Sequence, residues 1–130
     1  MTEARSDPQW QKGANGRFHR FDLLDPEAEG LDNFGGVFVL WHAGSRPEWV
    51  YVGRSGDLAR AFHELALDED VMDYDRRGGL YVTWAPIREE FQAGVVRFLT
   101  EELKPVVENE RAPGRETKPI PVLIPGSKSA

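Results

Sequence analysis

The run Val37–Trp41 constrains the fold more than any other part of the sequence, because none of its five side chains is polar. A strand with one face in water alternates apolar and polar residues, whereas a continuous apolar run is typical of a strand covered on both faces. A second apolar stretch, Trp49–Val52, follows the turn-forming segment 43–48. The two stretches therefore predict a hairpin with a loop of moderate length.

Two helices and a third strand are expected after the hairpin. Asp57 suits the N-cap of a first helix, and Leu58, Ala61, Phe62 and Leu65 follow at helical spacing, so these four are predicted to face the core. Residues 80–84 are rich in β-branched and aromatic side chains, which predicts a strand. Pro86 suits the first turn of a second helix that runs to about Lys104. Its core stripe is expected to comprise Phe91, Val95, Phe98 and Leu99, widened by Val96 and Leu103.

The remaining segments are turn-rich, charged or rich in proline. Residues 1–16 predict a flexible polar lead, residues 17–22 a short edge strand, and residues 25–36 an acidic loop. Residues 68–75 carry five acids and no base, which favours a solvated loop. Residues 111–130 contain four prolines, so they are expected to be extended, and the apolar stretch 119–125 should lie against something.

Together these segments predict an α+β fold of order β-β-α-β-α. A small, three-stranded, mainly antiparallel sheet would be flanked by helices and extended by the N-terminal edge strand. The expected organisation is a lead and acidic loop over 1–34, a central domain over 35–110, and an extended proline-rich tail over 111–130.

Composition narrows the classes of function. The chain of 130 residues has no cysteine, which excludes disulfides, thiol catalysis and cysteine-ligated metal sites. No apolar run approaches the roughly 18 residues that span a membrane, and the polar start is not expected to be a signal peptide, so a cytoplasmic location without a membrane partner is expected. The net charge of −6 disfavours nucleic acid as a partner, because such proteins usually present a basic face to the phosphates.

Several short motifs carry a resemblance to a known family. In chain order they are Gly36-Val37-Phe38, Tyr51-Val52-Gly53, Ser55-Gly56-Asp57-Leu58 and Leu103-Lys104-Pro105, with Asn109 shortly after. This series resembles the GIY-YIG nuclease family over about residues 35–109, and the order β-β-α-β-α matches that family's fold. The resemblance implies a metal-dependent phosphodiesterase acting on DNA. Its chemistry needs an activated nucleophile, a cation against the phosphate charge, and a Lewis acid.

The resemblance places four chemical groups, and only one of them is present. The tyrosine of the second strand matches Tyr51. The tyrosine of the first strand falls on Phe38, which has no hydroxyl group. The arginine of the first helix falls on Ala61, and the metal-binding glutamate of the later helix falls on Val96.

The resemblance therefore implies a catalytically degenerate domain that serves as a protein-binding or assembly module without a cofactor. Two alternatives stay open. A divergent Mg²⁺- or Mn²⁺-dependent endonuclease would use Tyr51, Arg54 and Arg60 as catalytic residues, with Glu89 on the metal. A non-catalytic accessory subunit would bind DNA without cleaving it.

The two ends of the chain offer candidate binding residues. Trp10 in the polar lead would suit docking to a partner protein, because tryptophan is enriched in interfaces. Pro119, Pro121 and Pro125 lie in an extended stretch that could bind a partner by strand addition or as an extended peptide. The other interpretation is that both ends pack back on their own domain.

Overall fold

The computed structural model describes residues 5–126 and has an α+β architecture built on one antiparallel sheet. The sheet has four strands in the order β1-β4-β2-β3, one more than the central three, because the predicted N-terminal edge strand pairs with β4. None of the helices among the described residues is long and apolar enough to cross a bilayer. The elements are β1 (His19–Arg20), β2 (Gly36–His42), β3 (Glu48–Ser55), α1 (Leu58–Leu65), α2 (Glu69–Met72), β4 (Leu80–Ala85) and α3 (Glu89–Leu103).

Strand β2 lies at the centre of the sheet and is buried on both faces. It pairs antiparallel with β3 on one edge and with β4 on the other. Phe38 and Leu40 belong to one core layer, with α1 and α2, whereas Val37 and Val39 belong to a second layer, with α3. Because all four side chains are at most 3% exposed, the predicted two-sided burial is confirmed for these residues, whereas Trp41 at the end of the run is half-buried.

Helix α1 begins after Asp57 as predicted, but it buries a slightly different face. The prediction that Ala61 faces the core is wrong in part, because Ala61 is half-buried while Ala59 is 2% exposed. The difference arises from the loop before β2. The loop's Leu31 lies in the same core layer as α1, and its carbonyl accepts a hydrogen bond from the Ala59 amide at 3.2 Å.

Helix α3 covers the other face of the sheet with Val95, Val96, Leu99 and Leu103, as predicted. Phe91 was expected in this stripe, but it is 47% exposed, and Gln92 and Gly94 are buried instead. The C-terminal tail crosses α3 and buries the side of the helix that carries Gly94.

The helix also starts later than predicted. Residues 86–88 precede it, and Arg88, the N-cap, has an extended ψ of 139°. The side-chain amide of Gln92 donates to the carbonyl of Ile87 at 2.8 Å, which ties the first turn to this approach segment.

The structure differs from the prediction in residues 17–22 and 68–75, and a short 3₁₀ turn forms in each region. Residues 17–22 supply only two strand residues, since Phe21–Leu23 forms a 3₁₀ turn. The acidic segment 68–75 is not a loop: it forms α2 and the 3₁₀ turn Asp73–Arg76. Asp68 caps α2 by accepting hydrogen bonds from the amides of Asp70 and Val71, and the fully buried Val71 anchors the helix in the core.

The two ends of the described chain lie against the domain and against each other. The Leu123 amide donates to the Ser6 carbonyl at 2.9 Å, and the indole N–H of Trp10 donates to the Leu123 carbonyl at 2.7 Å. Val122 is buried in the second core layer, and Ile120 and Ile124 pack on it. The lead is thus fixed from Arg5 onward; residues 1–4 of the predicted lead and 127–130 of the predicted tail lie outside the described residues.

Gly94 is required for the tail to cross α3. A Cβ atom at this position would lie 2.6 Å from side-chain carbons of Ile120 and 2.8 Å from the backbone oxygen of Lys118. The Ile120 amide also donates to the Gly94 carbonyl at 2.9 Å. A side chain here would therefore push the tail away from the helix.

We predict that Gly94→Ala destabilises the protein and loosens the tail. Overpacking typically costs about 1–3 kcal/mol, and the better helix propensity of alanine offsets about 1 kcal/mol, so the expected net loss is roughly 1 kcal/mol. Urea unfolding measures the loss, and faster amide exchange at Ile120 reports the detachment. Gly56→Ala is the matched control, since its Cβ would meet nothing within 4 Å. A Gly94→Ala variant as stable as the wild type, with unchanged exchange, would contradict this account.

Candidate functional site

A surface pocket of about 610 Å³ lies where β3, α1 and the segment after α3 meet. It brings together Phe38, Tyr51, Ala61, Val96 and Asn109, which are distant in sequence. We call it the Tyr51 pocket. The remaining lining residues are Gly53, Arg54, Ser55, Gly56, Asp57, Arg60, Glu64, Arg111 and Pro113.

The wall formed by the sheet depends on Gly53. Phe38 and Tyr51 stack with ring centroids 5.9 Å apart and an interplanar angle of 16°. A Cβ at Gly53 would lie 2.7 Å from the Phe38 ring and 3.0 Å from the Tyr51 ring. Glycine is therefore the residue that lets both rings lie over the backbone of β3.

A tight turn joins β3 to α1 and sets the direction of the helix. The Ser55 hydroxyl donates to the Asp57 carbonyl at 2.9 Å and accepts from the Asp57 amide at 3.0 Å. The Asp57 carboxylate accepts from the Arg60 amide at 3.2 Å and caps α1. The turn thus sets the start of α1, and the helix then places Ala61 at the rim of the pocket.

The segment after α3 closes the outer edge of β3. The amides of Val106 and Val107 donate to the carbonyls of Trp49 and Val50, both at 3.0 Å. The side chain of Asn109 continues this pairing by donating to the Val52 carbonyl at 3.1 Å. These bonds cover an edge that would otherwise be open to another strand.

The same segment also carries a cation to the pocket. The Asn109 side-chain oxygen accepts from the Arg111 amide at 2.9 Å, which holds Arg111 at the rim. Asn109 therefore links the closed edge of β3 to the charge of the pocket.

Three guanidinium groups line the Tyr51 pocket. Arg60 forms an exposed ion pair with Glu64 at 3.2 Å on the same helix, as its spacing predicts. Arg54 and Arg111 are also exposed. Among residues 5–126, no three His, Asp or Glu side chains come together in a way that could hold a metal ion. The pocket thus combines three guanidinium groups and two carboxylates, Asp57 and Glu64, with a phenol and the apolar side chains of Phe38, Ala61, Val96 and Pro113.

Tyr51 is half-buried, and its surroundings favour the neutral phenol. Burial raises the pKa of Tyr51 above its ordinary value, and the negative charges of Asp68 and Glu110 raise it further. The positive charge of Arg111 opposes this shift. The hydroxyl is therefore protonated at neutral pH and can donate a hydrogen bond to a ligand.

The structure brings some of the predicted site residues together and separates others. Tyr51, Arg54 and Arg60 line the same pocket. Glu89 opens α3 and is not among the residues lining the pocket.

The predicted binding residues at the chain ends differ in burial. Trp10 packs against the second core layer, Pro125 is buried, Pro121 is half-buried, and Pro119 is exposed. Sequence reasoning missed Arg111, which only the turn after Asn109 brings to the rim.

Comparison with protein-family models, with curated proteins and with solved structures finds no match to this chain. The geometry of the Tyr51 pocket and the motifs that meet there are therefore the basis for assigning a function.

We predict that two neighbouring charges tune Tyr51 in opposite directions. Arg111→Gln should raise the pKa of Tyr51, because it removes the positive charge that stabilises the phenolate. Asp68→Asn should lower this pKa, because it removes a negative charge while keeping an N-cap for α2. NMR titration of ¹³C-labelled tyrosine measures both shifts, with Arg115→Gln as a control. Shifts of the reverse sign would contradict this electrostatic picture.

Proposed function

We propose that this chain is a catalytically degenerate domain of the GIY-YIG type that acts as a protein-binding or assembly module. One observation carries the proposal: the positions that match the family's chemical groups line one pocket, and Phe38, Ala61 and Val96 occupy three of them. A cytoplasmic location, expected from the cysteine-free composition, belongs to the same proposal.

The three positions serve packing rather than chemistry. Val96 is fully buried in the apolar layer between α3 and the sheet, and Phe38 is 3% exposed and stacked on Tyr51. Placing an unpaired carboxylate at position 96 would leave a buried charge, which is strongly unfavourable. Burial of Val96 in this layer supports the proposal that the position holds no metal ligand.

Several features of the pocket suit binding without turnover. Its frame is held by the capped turn at Asp57 and by the closed edge of β3, so its shape is fixed before a ligand arrives. Tyrosine and arginine side chains line it, and both are enriched among residues that dominate binding at protein interfaces. A pre-formed site of this kind avoids the loss of conformational entropy on binding.

The arginines favour one second candidate, an accessory subunit that binds DNA without cleaving it. Arg54, Arg60 and Arg111 could contact phosphates, although the net charge of −6 opposes approach to DNA. The divergent endonuclease, with Mg²⁺ or Mn²⁺ held by Glu89, has less support because Glu89 does not line the pocket. The accessory subunit requires DNA binding and the endonuclease requires DNA cleavage, and one plasmid experiment tests both.

We predict that the purified protein does not nick supercoiled plasmid in the presence of Mg²⁺ or Mn²⁺, and that Tyr51→Phe behaves identically. The reason is that the pocket offers neither a carboxylate at position 96 nor a cation at position 61. Agarose gels measure nicking over a range of protein concentrations.

The pattern of outcomes separates the candidates. Nicking by the wild type that is lost in Tyr51→Phe would overturn the proposal and establish the divergent nuclease. A mobility shift of intact plasmid that Arg54→Ser abolishes, without nicking, would assign the accessory DNA-binding role. Arg115→Ser serves as the matched control, because Arg115 is exposed and does not line the pocket.

A further inference from the structure

A second groove, of about 730 Å³, lies between the N-terminal lead and the strands β2 and β4. Trp41 and Tyr81 form its floor as register partners on these two strands. Arg17 and Phe18, which directly follow the lead, form one wall, and Leu23 lines another part. We call it the lead groove.

The rings in the lead groove are packed against each other and covered in part by cations. The ring of Phe18 meets Trp41 edge to face at 4.9 Å between centroids, and Trp41 stacks on Tyr81 at 6.0 Å. Lys12 lies 4.9 Å above the Phe18 ring, and the Arg20 guanidinium lies 5.6 Å above Tyr81. The groove therefore combines aromatic surface with fixed positive charge.

The charge of the lead groove is opposite to that of the whole protein. Its lining contains no carboxylate, although the chain carries 22 acids against 16 bases. Residues 8–21 hold Lys12, Arg17 and Arg20 and no acid.

Two of these cations remain available to a ligand. Arg20 is paired with Asp22 at 3.4 Å. In the part of the chain that the structure describes, no ion pair involves Lys12 or Arg17. Arg17 thus lines the groove and Lys12 lies over its Phe18 wall, and neither has an acidic partner among the described residues.

The apolar surface of the groove extends outward at Leu23, which is 77% exposed. Tryptophan, tyrosine and arginine are enriched at the centres of protein interfaces, and the exposed Leu23 adds apolar area beside them. Trp41, Tyr81 and Phe18 are only half-buried, so apolar area remains for a partner.

From these observations we infer that the lead groove docks an acidic segment of a partner protein that also carries an apolar anchor. The inference rests on the proposed protein-binding function and names its partner chemistry. Carboxylates of the segment pair with Lys12 and Arg17, and its apolar side chain packs among Phe18, Trp41 and Leu23. Opposite charges at the rim steer and orient such a segment.

The geometry favours a peptide over single-stranded nucleic acid. Bases bind to aromatic side chains by stacking on free ring faces. Here Lys12 covers a face of Phe18 and Arg20 covers a face of Tyr81, while Trp41 lies between the two rings. A polyanion would also meet the repulsion of the whole chain, whereas a short acidic segment carries few charges.

The test is selection of phage-displayed random peptides of about 12 residues on the full-length protein. Selected peptides should combine Asp or Glu with a large apolar residue. Fluorescence anisotropy with a synthetic copy should show binding that weakens as salt rises. The double substitution Lys12→Ser/Arg17→Ser and the single substitution Leu23→Ser should each weaken it by about tenfold or more. The first removes the cations that pair with the acids, and the second removes an apolar contact. Arg115→Ser should leave it unchanged.

Three results would each overturn the inference. The selection recovers no binder, it recovers peptides poor in acids, or the groove substitutions do not change the binding of the recovered peptides. A labelled 12-mer of thymidine that binds the wild type and is lost in the double variant would assign the groove to nucleic acid instead. Both variants change exposed residues only, so folding is preserved and circular dichroism verifies it. Plasmid nicking tests the Tyr51 pocket separately, so failure of one proposal is distinguishable from failure of the other.

Discussion

The position of β2 between β3 and β4 is the constraint on which the rest of the molecule depends. The strand is hydrogen-bonded on both edges, and its side chains alternate between two core layers. Phe38 therefore faces α1, and Val39 faces α3. Both helices pack on side chains of β2. Because β3 is held against β2, Tyr51 and Gly53 are fixed beside Phe38, which builds one wall of the Tyr51 pocket.

The chemistry of the Tyr51 pocket follows from the same packing. The side chain of Val96 is fully buried in the layer between α3 and the sheet. The polar groups of the pocket are the phenol of Tyr51, the side-chain amide of Asn109, the Ser55 hydroxyl, three guanidinium groups and the carboxylates of Asp57 and Glu64. Hydrogen bonds hold the frame and cations outnumber acids in the lining, which is why binding is the function we propose.

Parts of the fold could be predicted because their signals are local. The apolar run of β2 predicted burial on two faces, and Asp57 predicted the start of α1. Helix α2 gave no periodic signal, since it has four residues and depends on one buried valine, Val71. The burial of Gly94 could not be predicted either, because it depends on the C-terminal tail crossing α3 at this residue.

The candidate sites also divide into features with a local signal in the sequence and features that depend on contacts between distant segments. The motif around Tyr51 located the pocket, and the chain-end residues were identified as apolar segments that need cover. Arg111 and the lead groove were missed, because each depends on contacts between distant segments. The cations of the lead were visible in the sequence, but only the pairing of Trp41 with Tyr81 places aromatic surface beside them.

The central claim is that the Tyr51 pocket keeps its frame without a metal site. The most direct measurement is paramagnetic broadening by Mn²⁺ of backbone amide signals in ¹H–¹⁵N spectra of the full-length protein. The account predicts that Gly53, Gly56 and Asn109 broaden no more than amides remote from the pocket. Selective loss of these three signals at micromolar Mn²⁺, with the remote amides intact, would contradict it.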